Sequence, residues 1–235
     1  MLAVYKREMK SYFTTPLGYV FLGIFLAVSG ALFSYTTFLS MSSEVAPFFS
    51  SMLFAYIILL PLLTMKLFTD EKKQRTEQLL LTAPVSLFSI VLGKFLAAYT
   101  VFAGATVFSL SYFLLLSVYG SVNGALLFGN LLAALLIGMA FIAIGTFVSA
   151  ITENQISAAV LSIAILVGLM LLTYLCDMLP ESYWLRYVIE VLSPFYRFQN
   201  FTNGILDFVA LFYYFSLAAL FVFLTVRVFD RRRFH

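Results

Sequence analysis

The chain has 235 residues, of which 63% are apolar and 18% aromatic, while only 11% are charged. Soluble domains carry about a quarter charged residues, so this composition, with a mean hydropathy of +1.01, excludes an ordinary soluble fold. The formal charge of +3 is small, and its basic residues sit where a membrane topology wants them, which excludes a nucleic-acid surface.

Residues 2–14 have helical spacing. Leu2, Tyr5, Met9, Tyr12 and Phe13 share one face, and Lys6, Arg7, Lys10, Ser11 and Thr14 the other. The pattern suits a helix lying in the membrane interface with its lysines toward lipid phosphates; the alternative is a disordered basic tail. Thr15-Pro16 ends the element and turns the chain into the bilayer. The apolar run that follows is long enough to span and reads as an uncleaved anchor.

Crossing the bilayer core takes about 20 mostly apolar residues. Six stretches qualify, roughly 17–40, 45–68, 95–117, 125–151, 156–176 and 208–229. The remainder is too short for a separate soluble domain, so residues 1–235 read as one all-α membrane domain. Pro61 predicts a kink in span two. Lys66, near its inner end, and Lys94, at the start of span three, are expected to snorkel toward headgroups. Ala134, Gly138, Gly145 and Ser149 put small residues along span four, which predicts a close helix contact.

Between spans two and three lies the one long charged segment, Thr69–Ser86. It carries both signs of charge, then Leu79-Leu80-Leu81, then the helix-stopping Pro84. The reading is an amphipathic helix over 70–84; the alternative is a solvated charged loop. The turn between spans four and five is short, and Glu153 to Gln155 are placed to touch a partner. Residues 177–207 are too polar and too interrupted to be one span. Tyr183, Trp184, Tyr187, Val188 and Val191 recur at helical spacing, and Ser193-Pro194 reads as a cap and a helix-starting proline. A second short helix carries Phe195, Phe198, Phe201 or Thr202, and Ile205 on one side. Two half-helices dipping back into the outer leaflet are expected, with a surface loop anchored by aromatics as the alternative.

Twelve of the fourteen basic residues flank the N-terminus, the 69–94 segment or the C-terminus, and only Arg186 and Arg197 fall on the other side. Six spans put those three regions together, which the positive-inside rule makes cytoplasmic. Cys176 is the only cysteine, so no internal disulfide forms, and a small apolar residue at a helix end is its expected role. No phosphate-cradling Walker segment is present, the only histidine is His235, and no residue set suggests a metal site or a catalytic centre. The spans lack the midplane ionisable groups of ion-coupled carriers.

Three stretches carry a family resemblance. They are Arg75-Thr76-Glu77-Gln78-Leu79-Leu80-Leu81-Thr82-Ala83-Pro84-Val85-Ser86 with Ile90-Val91-Leu92-Gly93-Lys94, the turn Ser149–Gln155, and the paired outer half-helices. With the element at Leu2–Thr14, the chain resembles the permease subunit of type-2 ABC exporters over nearly its whole length. It looks closest to the gliding-motility-type permeases and somewhat less like those of copper-enzyme maturation. Two positions depart from the family's pattern: Arg75 stands where it has glycine, and Gln78 where it often has Glu, with Glu77 supplying a charge one position earlier.

The resemblance implies an elbow helix holding Tyr5, Lys6, Met9, Lys10 and Phe13. It implies a coupling helix in which Leu79 and Leu80 anchor into a cytoplasmic ATPase, with Arg75, Thr76, Glu77, Gln78, Thr82, Pro84 and Glu153 around them. It implies re-entrant half-helices with Trp184, Tyr187, Phe195 and Phe198. The chain would bind no cofactor itself; ATP and magnesium would sit in the ATPase. A second permease copy, or a related permease, would complete a complex in a bacterial cytoplasmic membrane, and the substrate would be amphiphilic or lipid-linked. Two other readings stay open. One is a mechanical module relaying ATPase strokes to a periplasmic or membrane partner; the other is an accessory six-span protein with no ATPase.

Overall fold

Apolar runs of this length satisfy their backbone groups in lipid only as helices, and helices are what form. A computed structural model describes the chain except residues 74–85, 121, 179–183, 203, 205–206 and 235, and among the described residues all regular structure is helical. In chain order the helices are α1 (Leu2–Thr14), α2 (Pro16–Phe33), α3 (Ala46–Thr64), α4 (Lys66–Lys73), α5 (Leu87–Ser109), α6 (Ser111–Tyr119), α7 (Gly124–Ile151), α8 (Gln155–Asp177), α9 (Trp184–Leu192), α10 (Pro194–Thr202) and α11 (Phe208–Phe234). A π-helical segment, Ser34–Leu39, prolongs α2. Six helical stretches are long and apolar enough to cross a membrane: Pro16–Leu39, Ala46–Lys73, Leu87–Val118, Gly124–Ile151, Gln155–Cys176 and Phe208–Arg231.

Helix α7 is the centre of the bundle. Its most apolar stretch is 78% buried, against 28% for α2, α8 and α11, which are therefore peripheral. Small residues make the centre accessible. A Cβ on Gly138 would lie 2.1 Å from the Phe102 ring of α5, and one on Gly145 2.2 Å from Thr64 Oγ1 of α3. Both neighbours close directly onto the α7 backbone, as the run of small residues predicts. Around this contact Phe25, Tyr56 and Phe102 join α2, α3 and α5, with ring centroids 5.2–6.2 Å apart.

Pro61 sits inside α3, and the second span is interrupted one turn later, at Met65. Helix α3 ends at Thr64, Met65 N donates to Pro61 O at 2.9 Å, and α4 resumes at Lys66. Residues 70–73 belong to the last turn of α4, and the rest of the expected helix over 70–84 lies outside the described residues.

The third span is longer than its hydropathy indicates. Ser86 caps it through Oγ to Ser89 N, so α5 starts at Leu87. That start places Lys94 two turns inside the helix and buried, which corrects the expectation that it snorkels at an interface. By hydropathy a lone lysine reads as a span boundary, but the partners of Lys94 lie on other helices.

Helix α1, α4, the start of α5, the α7–α8 turn and the last turns of α11 gather at one end, where the Phe68 and Phe229 rings lie 4.7 Å apart. This is the basic end. At the opposite, aromatic end, α9 and α10 form a helical hairpin. Its Ser193-Pro194 corner reaches inside the ends of its neighbours. Ser193 Oγ lies 2.6 Å from Thr173 Oγ1 of α8, and Tyr214 OH donates to Pro194 O at 2.5 Å. Tyr214 is six residues into α11, about 9 Å at the rise of an α-helix.

Candidate functional site

Four charges from three helices close a ring at the basic end. Lys94 Nζ lies 2.9 Å from Glu71 Oε1 and 3.2 Å from Glu8 Oε1. Arg7 Nη2 lies 2.8 Å from Glu8 Oε1 and 3.0 Å from Glu71 Oε1. Each cation thus touches both carboxylates. The Lys94 side chain is 3% exposed and the two carboxylates 14% and 16%, so the Lys94 pairs are barely screened by solvent, whereas Arg7, 56% exposed, closes the ring from its solvent side. Lys94 also donates to Leu67 O at 2.6 Å and sits 5.1 Å from the Phe68 ring centroid. The guanidinium of Arg7 is held more firmly in its charged form, first by its hydrogen bond to Glu8. The ring fastens α1 and α5 to α4, whose last described residue, Lys73, leads into segment 74–85.

A second set of contacts fastens α4 to the α7–α8 turn. Helix ends leave carbonyls unpaired, and Lys72 Nζ fills that need for α7 by donating to Ala150 O and, at 2.6 Å, to Thr152 O. Ser149 Oγ serves the break at Met65. It accepts from Phe68 N at 3.1 Å and donates to Met65 O at 3.2 Å. The Gln155 side-chain amide donates to Asp70 Oδ1. Between α4 and the turn lies a cleft of about 880 Å³ with Lys72, Lys73, Glu153 and Gln155 in its wall. Glu153 is exposed beside it.

Helix α1 is positioned by its partly polar face. Tyr12 is buried and donates to Leu63 O at 3.2 Å, and burial, with the charge of Glu8, raises its phenol so that it stays a donor. Tyr5 OH donates to Thr100 Oγ1 of α5 at 3.2 Å. A Cβ at Gly18 would lie 2.3 Å from Tyr12 O, so the corner between α1 and α2 accepts only glycine. Met9 is half-buried, Lys6 and Lys10 are exposed, and Phe13, 41% exposed, meets Tyr19 edge-on at 5.9 Å.

Of the residues singled out in the sequence, Arg75, Thr76, Glu77, Gln78, Leu79, Leu80, Thr82 and Pro84 lie outside the described residues. The aromatic end splits its four. Trp184 and Tyr187 are 71% and 70% exposed, whereas Phe195 and Phe198 are buried, Phe195 against Phe141 of α7 at 5.4 Å between centroids. Phe195 and Phe198 hold the hairpin in place, and only the first two are presented outward. Phe198→Ala is therefore expected to destabilise the protein by about 3 kcal/mol, and Tyr187→Ala by less than about 0.5 kcal/mol. Thermal unfolding of the full chain in detergent measures both; equal losses would contradict the split.

Glu8, Glu71 and Lys72 were not singled out in the sequence, and Lys94 and Ser149 were read only as a snorkelling lysine and a small packing residue. One signal was present: Glu8 is the lone acid of α1 and lies four residues from both Val4 and Tyr12, on the face that packs inward. Among the described residues no His, Cys, Asp and Glu cluster is arranged to hold a metal. A family model described as ABC-2 family transporter protein matches residues 32–232, beginning within the first span and leaving α1 outside the match. No curated protein matches the chain.

Proposed function

The chain belongs to the ABC-2 transporter family, and from that premise we propose that it converts ATP-driven motion of a cytoplasmic ATPase into outward movement of an amphiphilic or lipid-linked substrate. It is a multi-pass membrane protein, a permease subunit of an ABC transporter, and its family implies an ATPase partner and a bilayer. The observation that carries the finer reading is the double fastening of α4. Lys72, Ser149 and Gln155 tie it to the α7–α8 turn, and the Glu71–Lys94–Glu8–Arg7 ring ties it to α1 and α5. A push on segment 74–85, which follows α4 in sequence, would reach five helices at once.

In this reading segment 70–84 is the coupling element, with Leu79 and Leu80 as anchors and Glu153 at the rim of the same surface. Helix α1 is the elbow. Nucleotide and magnesium bind in the ATPase, and hydrolysis is the partner's. Two permease chains enclose the substrate's path, because the centre of a single chain is filled by α7. The α9–α10 hairpin re-enters the outer leaflet, which the depth of its Ser193-Pro194 corner supports. The Leu79–Ser86 motif supports kinship with the gliding-motility-type permeases. The relay reading rests on one observation, the exposure of Trp184 and Tyr187 at the aromatic end, where an external partner would meet them.

Orientation is the first test, because docking requires a cytoplasmic basic end in a bacterial inner membrane. In a Cys176-replaced background, cysteines introduced at Lys73 and Arg232 should be protected from an impermeant thiol reagent in intact cells and labelled after lysis. Labelling of either in intact cells would reverse the topology and remove the docking surface.

A further inference from the structure

We propose that the groove between α1, α2 and α5 binds one anionic phospholipid of the surrounding bilayer, with an acyl chain in the groove and the headgroup phosphate on Lys6 and Lys10. The proposal rests on the chain spanning a membrane with α1 at the interface, and not on ATPase docking.

The groove holds about 340 Å³, and its walls include Met9 and Phe13 of α1, Leu22 and Leu26 of α2, and Gly104 and Phe108 of α5. Thr100 is the only hydroxyl in its described lining, and it is already engaged: Oγ1 donates to Leu96 O at 2.7 Å and accepts from Tyr5 OH at 3.2 Å. The surface offered to an occupant is thus apolar throughout, which suits hydrocarbon and disfavours a polar ligand.

Size narrows the occupant. From Thr100 to Phe108 the groove runs along eight residues of α5, about 12 Å of helix. Over that length its volume corresponds to a cross-section of about 30 Å², enough for one hydrocarbon chain. A helix with side chains is about 10 Å across, so a second copy could cover the groove but not fill it. Space inside is kept by Gly104, where an added Cβ would meet nothing within 4 Å.

Charge narrows it further. At 100° per residue, Phe13 lies 40° from Met9 on the α1 wheel, and Lys6 and Lys10 follow within about 60° beyond Phe13. Both lysines are exposed and neither forms an ion pair among the described residues. Arg7, in contrast, is held by Glu8 and Glu71. The two unpaired cations of α1 therefore border the groove-lining edge. Cations beside an apolar slot match the phosphate and tail of a phospholipid, and each lysine adds attraction for an anionic headgroup.

Native mass spectrometry of the full chain in mild detergent, titrated with phosphatidylglycerol or phosphatidylcholine, tests the site. Wild type should retain one phosphatidylglycerol about tenfold more readily than phosphatidylcholine. Lys6→Gln with Lys10→Gln should abolish the preference, and Gly104→Leu should empty the groove of both lipids. Circular dichroism of each variant checks that the helices persist; the lysine pair is exposed, so that variant is informative even if Gly104→Leu fails to fold. Equal retention of the two lipids by wild type overturns the proposal, as does a preference that survives both variants. Loss of a dimer in Gly104→Leu with lipid retention unchanged would give the groove to a second copy and overturn it too.

Discussion

Lys94→Met is expected to destabilise the purified protein by about 2–3 kcal/mol, the largest effect of any single charge removal at the basic end. Breaking a buried ion pair by deleting one partner costs about 3–5 kcal/mol, because a charge is left buried without compensation. The loss falls at or just below the bottom of that range here, since Arg7 still lies within 3.0 Å of both carboxylates and neutralises one of them. Lys94 also supplies the hydrogen bond to Leu67 O, which methionine cannot replace. The triple variant Lys94→Met, Glu8→Gln, Glu71→Gln should recover most of the loss, because removing a whole buried network is often close to neutral. Denaturant titration of the three proteins in detergent measures this. A single variant as stable as wild type would show that the ring contributes nothing and that α1 is held by Tyr5 and Tyr12 alone.

The ring also shows where sequence reasoning reaches its limit. Helix α1 was legible to the residue, because apolar and basic positions alternate at helical spacing and Thr15-Pro16 ends it. The six spans were legible because about 20 apolar residues admit no other stable form in lipid. Close packing along α7 was legible from Gly138 and Gly145. What hydropathy could not reach was pairing between distant segments. Glu8, Glu71 and Lys94 are separated by 63 and 23 positions and come together only because α1 folds back on α5. Read alone, Lys94 marks a membrane boundary; read with Glu8 and Glu71, it belongs inside.

The aromatic hairpin gives the converse lesson. Helical spacing correctly joined Phe195 with Phe198, but it cannot say whether a face turns toward the bundle or away. Tertiary contact with Phe141 decides that for Phe195. Ser149 is a third case. It reads as one more small residue in a stripe, yet its hydroxyl joins Phe68 N and Met65 O across the break at Met65. Only the position of that break on a neighbouring helix gives the hydroxyl a task.

The largest effect of all is expected in segment 74–85. Leu79 and Leu80 open the run of three leucines that follows the charged stretch and precedes Thr82 and Pro84 in this loop. Apolar anchors at the centre of an interface typically contribute about 2 kcal/mol or more each, so replacing both with Asp should weaken docking by more than about a hundredfold. Arg75→Ala should do far less, because a rim charge is partly solvated. Neither change touches a spanning segment, so membrane insertion should be unaffected. The deciding measurement is recovery of ATP hydrolysis with affinity-tagged permease purified from its native membranes, comparing wild type, Arg75→Ala and the Leu79→Asp, Leu80→Asp variant. ATPase activity should accompany the first two and be lost from the third at equal permease yield; equal activity in all three would contradict the docking of an ATPase on this segment.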